Sequence, residues 1–516
     1  DGSIGNNNVY CPLDLSSLRI MKTIVLGPPG TGKTTTLLNK VDKYLKQTDP
    51  DKVGYFAFTQ KAANEARDRA IQKFNLTEDD LPYFRTLHSL AFQRLGIKKE
   101  NVMQRRHYKD LGEKIGFPVT YAVYENDHNG IFTTDSEYLR IINLSKLRNI
   151  TPEQQFDLNE HNQDLERNKL RIIANELERY KKEYGLIDFN DMIIKFTKSN
   201  DAVPKFDVVF IDEAQDLSKM QWDMAKVIWD KTQDSFIAGD DDQAVFRWAG
   251  ADVDSFIAQK GIMMPLKQSY RIPAKIHNLA MGIINRVKNR INKSWNPRTH
   301  EGSLSRHYNF EDINMSSGEW LVLARTKYML DQLEPTLYLN GHYYQNKFRK
   351  TKEQDLHLAA IDWENLRKGQ PMTYPQIERI YGYMNQNVDK DKLKSMLKDS
   401  SYDIDTLEQN YGLKTNEVWF EAFDDAPKRD ITYLRKMRKN GEKLNESPRI
   451  TLSTIHGAKG GECENVVLLT DLSLNTMRSY EQNPDDENRL FYVGATRTKE
   501  HLHIVEPKQK YKGYNL

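Results

Sequence analysis

Thr23-Ile24-Val25-Leu26-Gly27-Pro28-Pro29-Gly30-Thr31-Gly32-Lys33-Thr34 is the stretch that decides the fold. A β-branched apolar run stops at a glycine-rich turn, and apolar positions from Thr34 to Leu45 then recur at helical spacing, so the segment reads strand, loop, helix. Glycines in such a loop let backbone N–H groups converge on phosphate oxygens at a helix N-terminus. Lys33 is placed to neutralise β and γ oxygens, and the Thr34 hydroxyl to take one magnesium position. The candidate nucleotide-binding set is therefore Gly27, Pro28, Pro29, Gly30, Thr31, Gly32, Lys33, Thr34 and Thr35, with ATP and Mg2+ as expected cofactors. A chance turn of this pattern occurs in on the order of one chain in a hundred of this length. Its position between a strand and a helix makes chance a weaker explanation still.

The same grammar extends outward. Val53 to Phe58 precedes a helical pattern from Ala62 to Lys73, Val208 to Ile211 runs into Asp212-Glu213, and Ser235 to Ala238 into Gly239-Asp240. Short continuous apolar runs alternating with helices indicate buried parallel strands, whose ligands sit outside the strand carboxyl ends. Asp212 then becomes a metal-holding carboxylate and Glu213 the base that orients and deprotonates a water. An acid pair after a strand is by itself more often a helix cap; the phosphate loop upstream reverses that weighting. Trp320 to Leu323, Val466 to Leu469 and Leu502 to Val505 repeat the strand pattern late in the chain, which predicts a second α/β core with a parallel sheet. Helix-rich, charged stretches interrupt both. The expected organisation is a flexible leader or expression remnant at 1–20, a first core at 21–95 and 185–270 with a helical insertion at 96–184, and a second core at 271–346 and 447–516 with a helical insertion at 347–446.

Composition bounds the partners less tightly. At 516 residues more than one hydrophobic core is expected. Net charge is only +2, so a nucleic-acid surface has to come from local patches such as Arg435, Lys436, Arg438, Lys439 and Lys443, a run that equally suits a solvated helix face. The two cysteines, Cys11 and Cys463, are too few for a disulfide framework and point to a reducing compartment. No apolar run is long enough to span a bilayer. Cytoplasm is the expected location, or host cytoplasm for a viral chain.

Beyond the phosphate loop and Asp212-Glu213-Ala214-Gln215-Asp216, four strings follow in order: Gly239-Asp240-Asp241-Asp242-Gln243, Gln268-Ser269-Tyr270-Arg271, Thr454-Ile455-His456-Gly457-Ala458-Lys459-Gly460-Gly461-Glu462, and Arg489-Leu490-Phe491-Tyr492-Val493-Gly494-Ala495-Thr496-Arg497. Together they resemble the UvrD/Rep/PcrA group of superfamily 1 helicases in compact form. The resemblance implies two RecA-like P-loop NTPase cores, ATP hydrolysis, and 3′ to 5′ movement along single-stranded DNA with duplex unwinding, in repair, recombination or replication. It implies single-stranded DNA and single-strand/duplex junctions as partners, and a monomer able to act alone. Gln243 would sense the γ-phosphate, Arg271 and Arg497 would bring guanidinium groups to the transferring phosphoryl, and Glu462 would touch the ribose. With Lys33 and Glu213, the residues Gln243, Arg271 and Arg497 form the expected catalytic set, while Gln243, Arg271, Glu462 and Arg497 extend the nucleotide-binding set.

For DNA, the resemblance implies Phe58, Thr59, Lys61, Thr86, His88, Phe246, Trp248, Thr454 and His456. The aromatic members would stack bases, a sequence-tolerant contact because every base has a π-face. Aromatic residues are also ordinary core residues, which is the competing reading for Phe58 and Phe246. Asp188-Phe189-Asn190-Asp191 is read as a helix N-cap rather than as chemistry. The chain departs from the family pattern in four places: residues 1–26 hold no glutamine to read adenine, Ala249 stands where arginine follows the tryptophan, Gly461 stands where leucine is usual, and the second insertion is short. The nineteen residues after Arg497 are too few for an appended nuclease domain, so none is expected. Two competing activities fit the same strings, a translocase that strips proteins without unwinding and a nucleotide-gated DNA clamp.

Overall fold

The computed structural model describes residues 21–119, 134, 136–158, 165–348, 352–443 and 446–516, so the expected leader at 1–20, with Cys11, lies outside them. Contacts divide the chain into two compact units, Asp1–Tyr270 with Asn289–Asn296, and Arg271–Lys288 with Pro297–Leu516. The backbone passes between units after Tyr270, Lys288 and Asn296. The short segment 289–296 therefore belongs to the first unit although chain of the second precedes and follows it.

The first unit is built on strands β1 (Met21–Leu26), β2 (Val53–Ala57), β3 (Phe84–Arg85), β4 (Val208–Asp212), β5 (Asp234–Gly239) and β6 (Ile262–Pro265). They form one sheet in the order β3-β2-β4-β5-β1-β6, every pair parallel. Side chains alternate between two apolar layers, with Ile24, Leu26, Phe56, Val209, Ile211 and Ile237 on one face. Val25, Val53, Tyr55, Val208, Phe210 and Phe236 occupy the other. This two-sided burial is why the strands read as continuous apolar runs rather than as alternating ones. Parallel pairing also sends every strand's carboxyl end to the same edge, where the phosphate loop and both acid strings emerge.

The second unit repeats the plan with β7 (Ser303–His307), β8 (Trp320–Ala324), β9 (Tyr344–Asn346), then, after the small antiparallel pair β10 (Met372–Thr373) and β11 (Ser401–Tyr402), β12 (Ile450–Thr454), β13 (Cys463–Leu469) and β14 (Thr498–Val505). Its main sheet is again six-stranded and parallel, in the order β7-β14-β13-β8-β12-β9. The chain thus has two α/β cores with parallel sheets of six strands each and helices around them, consistent with two RecA-like domains.

The helical insertions differ in how they are anchored. In the first unit, Tyr108, Leu111, Ile142, Leu170, Ile173 and Leu177 form a cluster separate from the two layers on the sheet. In the second, Leu356, Trp363, Ile377 and Leu434 belong to the same apolar cluster as Trp320, Val322, Ile450 and Leu452 of the sheet.

Candidate functional site

In the first unit the loop after β1 feeds the helix Lys33–Leu45. Gly30 and Gly32 have φ of 71° and 77°, the left-handed region in which a Cβ is costly. Gly27 is demanded by space instead, since a Cβ there would lie 1.8 Å from Lys33 Cγ. The Lys33 ammonium donates to Gly27 O at 3.0 Å and stands 3.5 Å from a Glu213 carboxylate oxygen. Thr31 Oγ1 closes the turn by donating to Pro28 O at 2.8 Å. A segment just past β6 clasps the loop from outside: Ser269 Oγ donates to Pro29 O at 2.8 Å, and Tyr270 N to Gly30 O at 2.9 Å.

Thr34 Oγ1 donates to Asp212 Oδ2 at 2.9 Å, and Tyr55 OH donates to the same oxygen at 2.8 Å. Burial and the neighbouring Glu213 carboxylate push Asp212 above the usual carboxylate range, against the pull of Lys33 and both hydroxyl groups. Two adjacent carboxylates, one of them buried, beside a threonine hydroxyl form an all-oxygen donor set that fits Mg2+, with Thr34 and Asp212 as the residues to hold it. Glu213 has φ +52°, one of three positive-φ residues other than glycine among those described. Such backbone strain costs of order 1–3 kcal/mol and gathers at functional sites.

From Glu213 a chain of hydrogen bonds runs to the acid string after β5. Buried Gln215 donates from Nε2 to Glu213 Oε2 at 2.5 Å, and its Oε1 accepts from Asp240 N at 2.9 Å. Gln243 Nε2 in turn donates to Asp240 Oδ2 at 2.7 Å. Gly239 leaves the room for this, because a Cβ there would fall 2.6 Å from Gln215 Oε1.

Asp240, Asp241 and Asp242 are each 0% exposed. Three buried carboxylates need cations, and the segment 289–296 brings them. Lys293 Nζ lies 3.0, 2.6 and 2.8 Å from carboxylate oxygens of Asp240, Asp241 and Asp242. Arg290 grips Asp242 through two nitrogens at 2.8 and 2.6 Å. Burial opposes the Lys293 charge, yet the three aspartates win and hold its pKa above the ordinary lysine value. Asp242 likewise lies below its ordinary value, burial being outweighed by Arg290 and Lys293.

The same edge carries the first unit's expected DNA residues. Thr59 caps the helix Gln60–Phe74, accepting from Ala62 N at 3.1 Å, and Thr86 caps Leu87–Arg94, accepting from Ser89 N at 3.2 Å. These helices follow β2 and β3, which are neighbours, so two helix N-termini with exposed Lys61 beside one of them open side by side. Phe58 and Phe246 lie nearly parallel, ring centroids 6.2 Å apart at 20°, with Phe246 buried, whereas Trp248 is 51% exposed. The His88 ring meets Phe189 edge-on at 6.2 Å. Burial, only partly offset by Asp188, pushes its pKa down to about 4.

In the second unit, Arg271 pairs with Glu462, and Lys499 Nζ lies 3.4 Å from the other oxygen of the same carboxylate. Burial raises the Glu462 pKa but these two cations outweigh it, leaving the group below its ordinary value. Arg497 is 2% exposed, donating to Val493 O at 3.0 Å and Gly461 O at 3.1 Å. Thr454 ends β12 and accepts from Gly457 N at 3.1 Å, directly beside the half-buried His456.

The model of the UvrD/REP helicase N-terminal domain matches residues 17–261, and that of the UvrD-like helicase C-terminal domain matches 341–509. The chain belongs to the UvrD/REP helicase family. Its similarity to individual members is low. It is 24% identical to the ATP-dependent DNA helicase Rep of Buchnera aphidicola over 51% of this chain and 42% of that protein. It is 22% identical to the ATP-dependent DNA helicase PcrA of Staphylococcus aureus over 78% of this chain and 58% of that protein. With PcrA of Bacillus subtilis the identity is 23%, over 94% of this chain and 81% of that protein. The chain thus spans about half the length of the first two relatives, 42% and 58%.

Several residues at these edges carried no sequence signal of their own. Tyr55 lies inside an apolar strand, and Gln215 sits in the acid string with nothing to reveal its two partners. Lys293 and Arg290 come from a segment about 50 residues downstream, in a lysine- and arginine-rich stretch that reads as plain surface. Arg325, just past β8, donates to buried Glu487 at 2.6 Å. Burial raises the Glu487 pKa against the pull of Arg325. The three carboxylates Glu178, Asp188 and Asp191 converge closely enough for a metal ion. Lys146 and Lys181 already neutralise them at 2.6–3.0 Å, and Asp188 caps the helix Phe189–Lys198, as its spacing suggested.

Proposed function

We propose that this family member is an ATP-driven DNA motor that moves 3′ to 5′ along single-stranded DNA and unwinds duplex ahead of it, acting in repair, recombination or replication. The observation that carries the reading is the unbroken path Lys33, Glu213, Gln215, Asp240, Gln243 along one sheet edge, because it joins a phosphate loop to a loop bearing Phe246 and Trp248. Lys33 and the loop amides orient the triphosphate. Glu213 is the base that receives the proton of the attacking water, and Thr34 and Asp212 would hold Mg2+, which when bound would neutralise phosphate charge.

Gln215 fixes the Glu213 carboxylate and the Asp240 backbone together, so a shift at the phosphate is felt at Gln243. Arg271 and Arg497 are the guanidinium groups proposed for the transferring phosphoryl, and Glu462 the ribose contact. The Tyr270 ring, 75% exposed beside the phosphate loop, offers a π-face for a base. Thr59, Lys61 and Thr86 are proposed to hold DNA phosphates. Phe58, His88, Phe246 and Trp248 are proposed for bases, with Thr454 and His456 gripping the strand from the second unit. Among the described residues no helix is long and apolar enough to cross a membrane. A cytoplasmic protein able to act as a monomer is proposed.

A second reading rests on Ala249: with no guanidinium after Trp248, hydrolysis could drive translocation without strand separation. Duplexes carrying only a 3′ or only a 5′ single-stranded tail, incubated with ATP and Mg2+, separate these possibilities. Unwinding confined to the 3′-tailed duplex is expected. Unwinding confined to the 5′-tailed duplex overturns the polarity, and DNA-stimulated hydrolysis without unwinding of either selects the second reading.

A further inference from the structure

A second chemical cluster stands where the edge strand of the second sheet, β7, meets β14, apart from the residues described above. Strand β7 pairs with β14 so that Ser303 faces His501 and Ser305 faces His503, with His307 one step further on the same face. Three polar atoms meet there. Ser305 Oγ lies 3.0 Å from His503 Nδ1 and 3.1 Å from His307 Nε2, and these two nitrogens are 3.1 Å apart.

Linear two-centre hydrogen bonds cannot fill all three edges of this triangle. An imidazole nitrogen carries either one proton or one in-plane lone pair, never both, and a serine hydroxyl has one proton. If His307 Nε2 donates and His503 Nδ1 accepts, the hydroxyl can accept the first proton and give its own to the second ring. The remaining nitrogen–nitrogen contact then has no proton left for it. If both nitrogens accept, one hydroxyl proton serves only one of them, and if both donate, two N–H groups face each other. In every assignment at least one edge of the triangle is a close polar contact without a linear hydrogen bond.

A metal ion removes the conflict, because it accepts a lone pair from every corner. Tetrahedral ligands about 2.0–2.1 Å from a zinc ion lie roughly 3.3 Å from each other, close to the edges found here. Imidazole nitrogen suits Zn2+, Ni2+ and Cu2+. Both rings are only partly buried, so an ion and its remaining water ligands can reach them.

We propose that His307 Nε2 and His503 Nδ1, with Ser305 Oγ as a weaker third donor, form a binding site for a divalent late first-row metal ion that staples edge strand β7 to β14. An ion bridging the strands ties down the edge strand Ser303–His307, in which no residue is fully buried and little apolar surface holds it. His501, whose Nδ1 is engaged with Ser303 Oγ at 2.7 Å, is outside the site.

The test uses tag-free full-length protein stripped with chelator and titrated with Zn2+ alone and with Cu2+ alone. One equivalent of Zn2+ is expected to bind the intact chain and raise its Tm. The equivalent is lost in His307→Gln and in His503→Gln and kept in His501→Gln. The Cu2+ form is expected to show electron paramagnetic resonance splitting from two imidazole nitrogens, and to quench Trp320, whose ring centroid is 5.1 Å from that of His503. Circular dichroism of each metal-free variant separates loss of the site from loss of the fold, and if a variant unfolds, the two-nitrogen splitting in the intact chain decides by itself. Equal binding by a folded His307→Gln/His503→Gln double variant, or a Cu2+ signal without two imidazole nitrogens, overturns the proposal.

Discussion

The two sheets are built alike and armed oppositely. The carboxyl edge of the first is crowded with acids, Asp212, Glu213 and Asp240 to Asp242, answered by Lys33, Lys293 and Arg290. The second carries guanidinium groups, and each is held: Arg271 by Glu462, Arg325 by Glu487, Arg497 by backbone carbonyls. Six parallel strands therefore do not specify chemistry. What the loops add at the carboxyl edge does. The insertions differ as well, the first packing on a cluster of its own and the second sharing one cluster with its sheet.

The largest effect should come from the first edge. Glu213→Gln is expected to slow ATP hydrolysis by about 1000-fold or more while nucleotide binding persists, measured by single-turnover kinetics and by titration with a fluorescent nucleotide. Near-normal hydrolysis would mean that the acid edge is not the reacting one. Lys293→Met keeps the length of the side chain but leaves Asp240 and Asp241 short of a cation, and should cost about 3–5 kcal/mol in denaturant unfolding of the first unit. A loss below about 1 kcal/mol would show that the carboxylates are protonated or solvated instead.

The contrast between insertions is sharpened by a pair of truncations. Trp363→Ala opens a hole in a cluster common to insertion and sheet, so about 3–5 kcal/mol should be lost, with hydrogen-exchange protection falling in β8 and β12. Ile173→Ala is expected to cost about 2–4 kcal/mol with protection falling within the first insertion and not in β1 or β4. Protection lost in the same way from both sheets would erase the distinction.

A smaller effect follows from His88. Its folded pKa of about 4 lies below the unfolded value near 6.5. The unfolded chain therefore binds more protons in that window. Stability contributed by the neutral ring is complete above about pH 6.5 and is lost as pH falls towards 4. With the ring only partly buried the loss is about 2 kcal/mol, and His88→Gln should flatten the slope of unfolding free energy against pH across that window. An unchanged slope would assign the acid sensitivity elsewhere. Smallest of all, Thr86→Ala should remove about 1 kcal/mol by uncapping its helix. It should also weaken single-stranded DNA binding if that helix end holds a phosphate.

What could be read from the sequence divides along physical lines. Strands buried on both faces announced themselves: Thr23 to Leu26, Val208 to Ile211 and Val466 to Leu469 all lie within observed strands. Those that escaped are too short to show a pattern, Phe84–Arg85 and Tyr344–Asn346, or are edge strands without two-sided burial, the polar Ser303–His307 and the largely exposed Ile262–Pro265. Ile450–Thr454 escaped because its end overlaps the string read for its DNA contacts. In the site, the phosphate loop and Asp212-Glu213 were visible because local backbone geometry dictates their spacing. The partners that hold them were not. Gln215 reaches Asp240 across 25 residues and Lys293 reaches Asp241 across 52, and such pairings exist only once the sheet has brought its loops together.

The acid edge of the first sheet is proposed to hydrolyse ATP under the control of DNA. Steady-state hydrolysis by the intact protein, with and without single-stranded DNA and beside Lys33→Ala and Gln243→Ala, tests it most directly. Strong stimulation by DNA is expected in the intact protein, no activity in Lys33→Ala, and residual hydrolysis with stimulation greatly reduced in Gln243→Ala. Hydrolysis that is absent from the intact protein, or that proceeds at the same rate whether or not DNA is present, would contradict it.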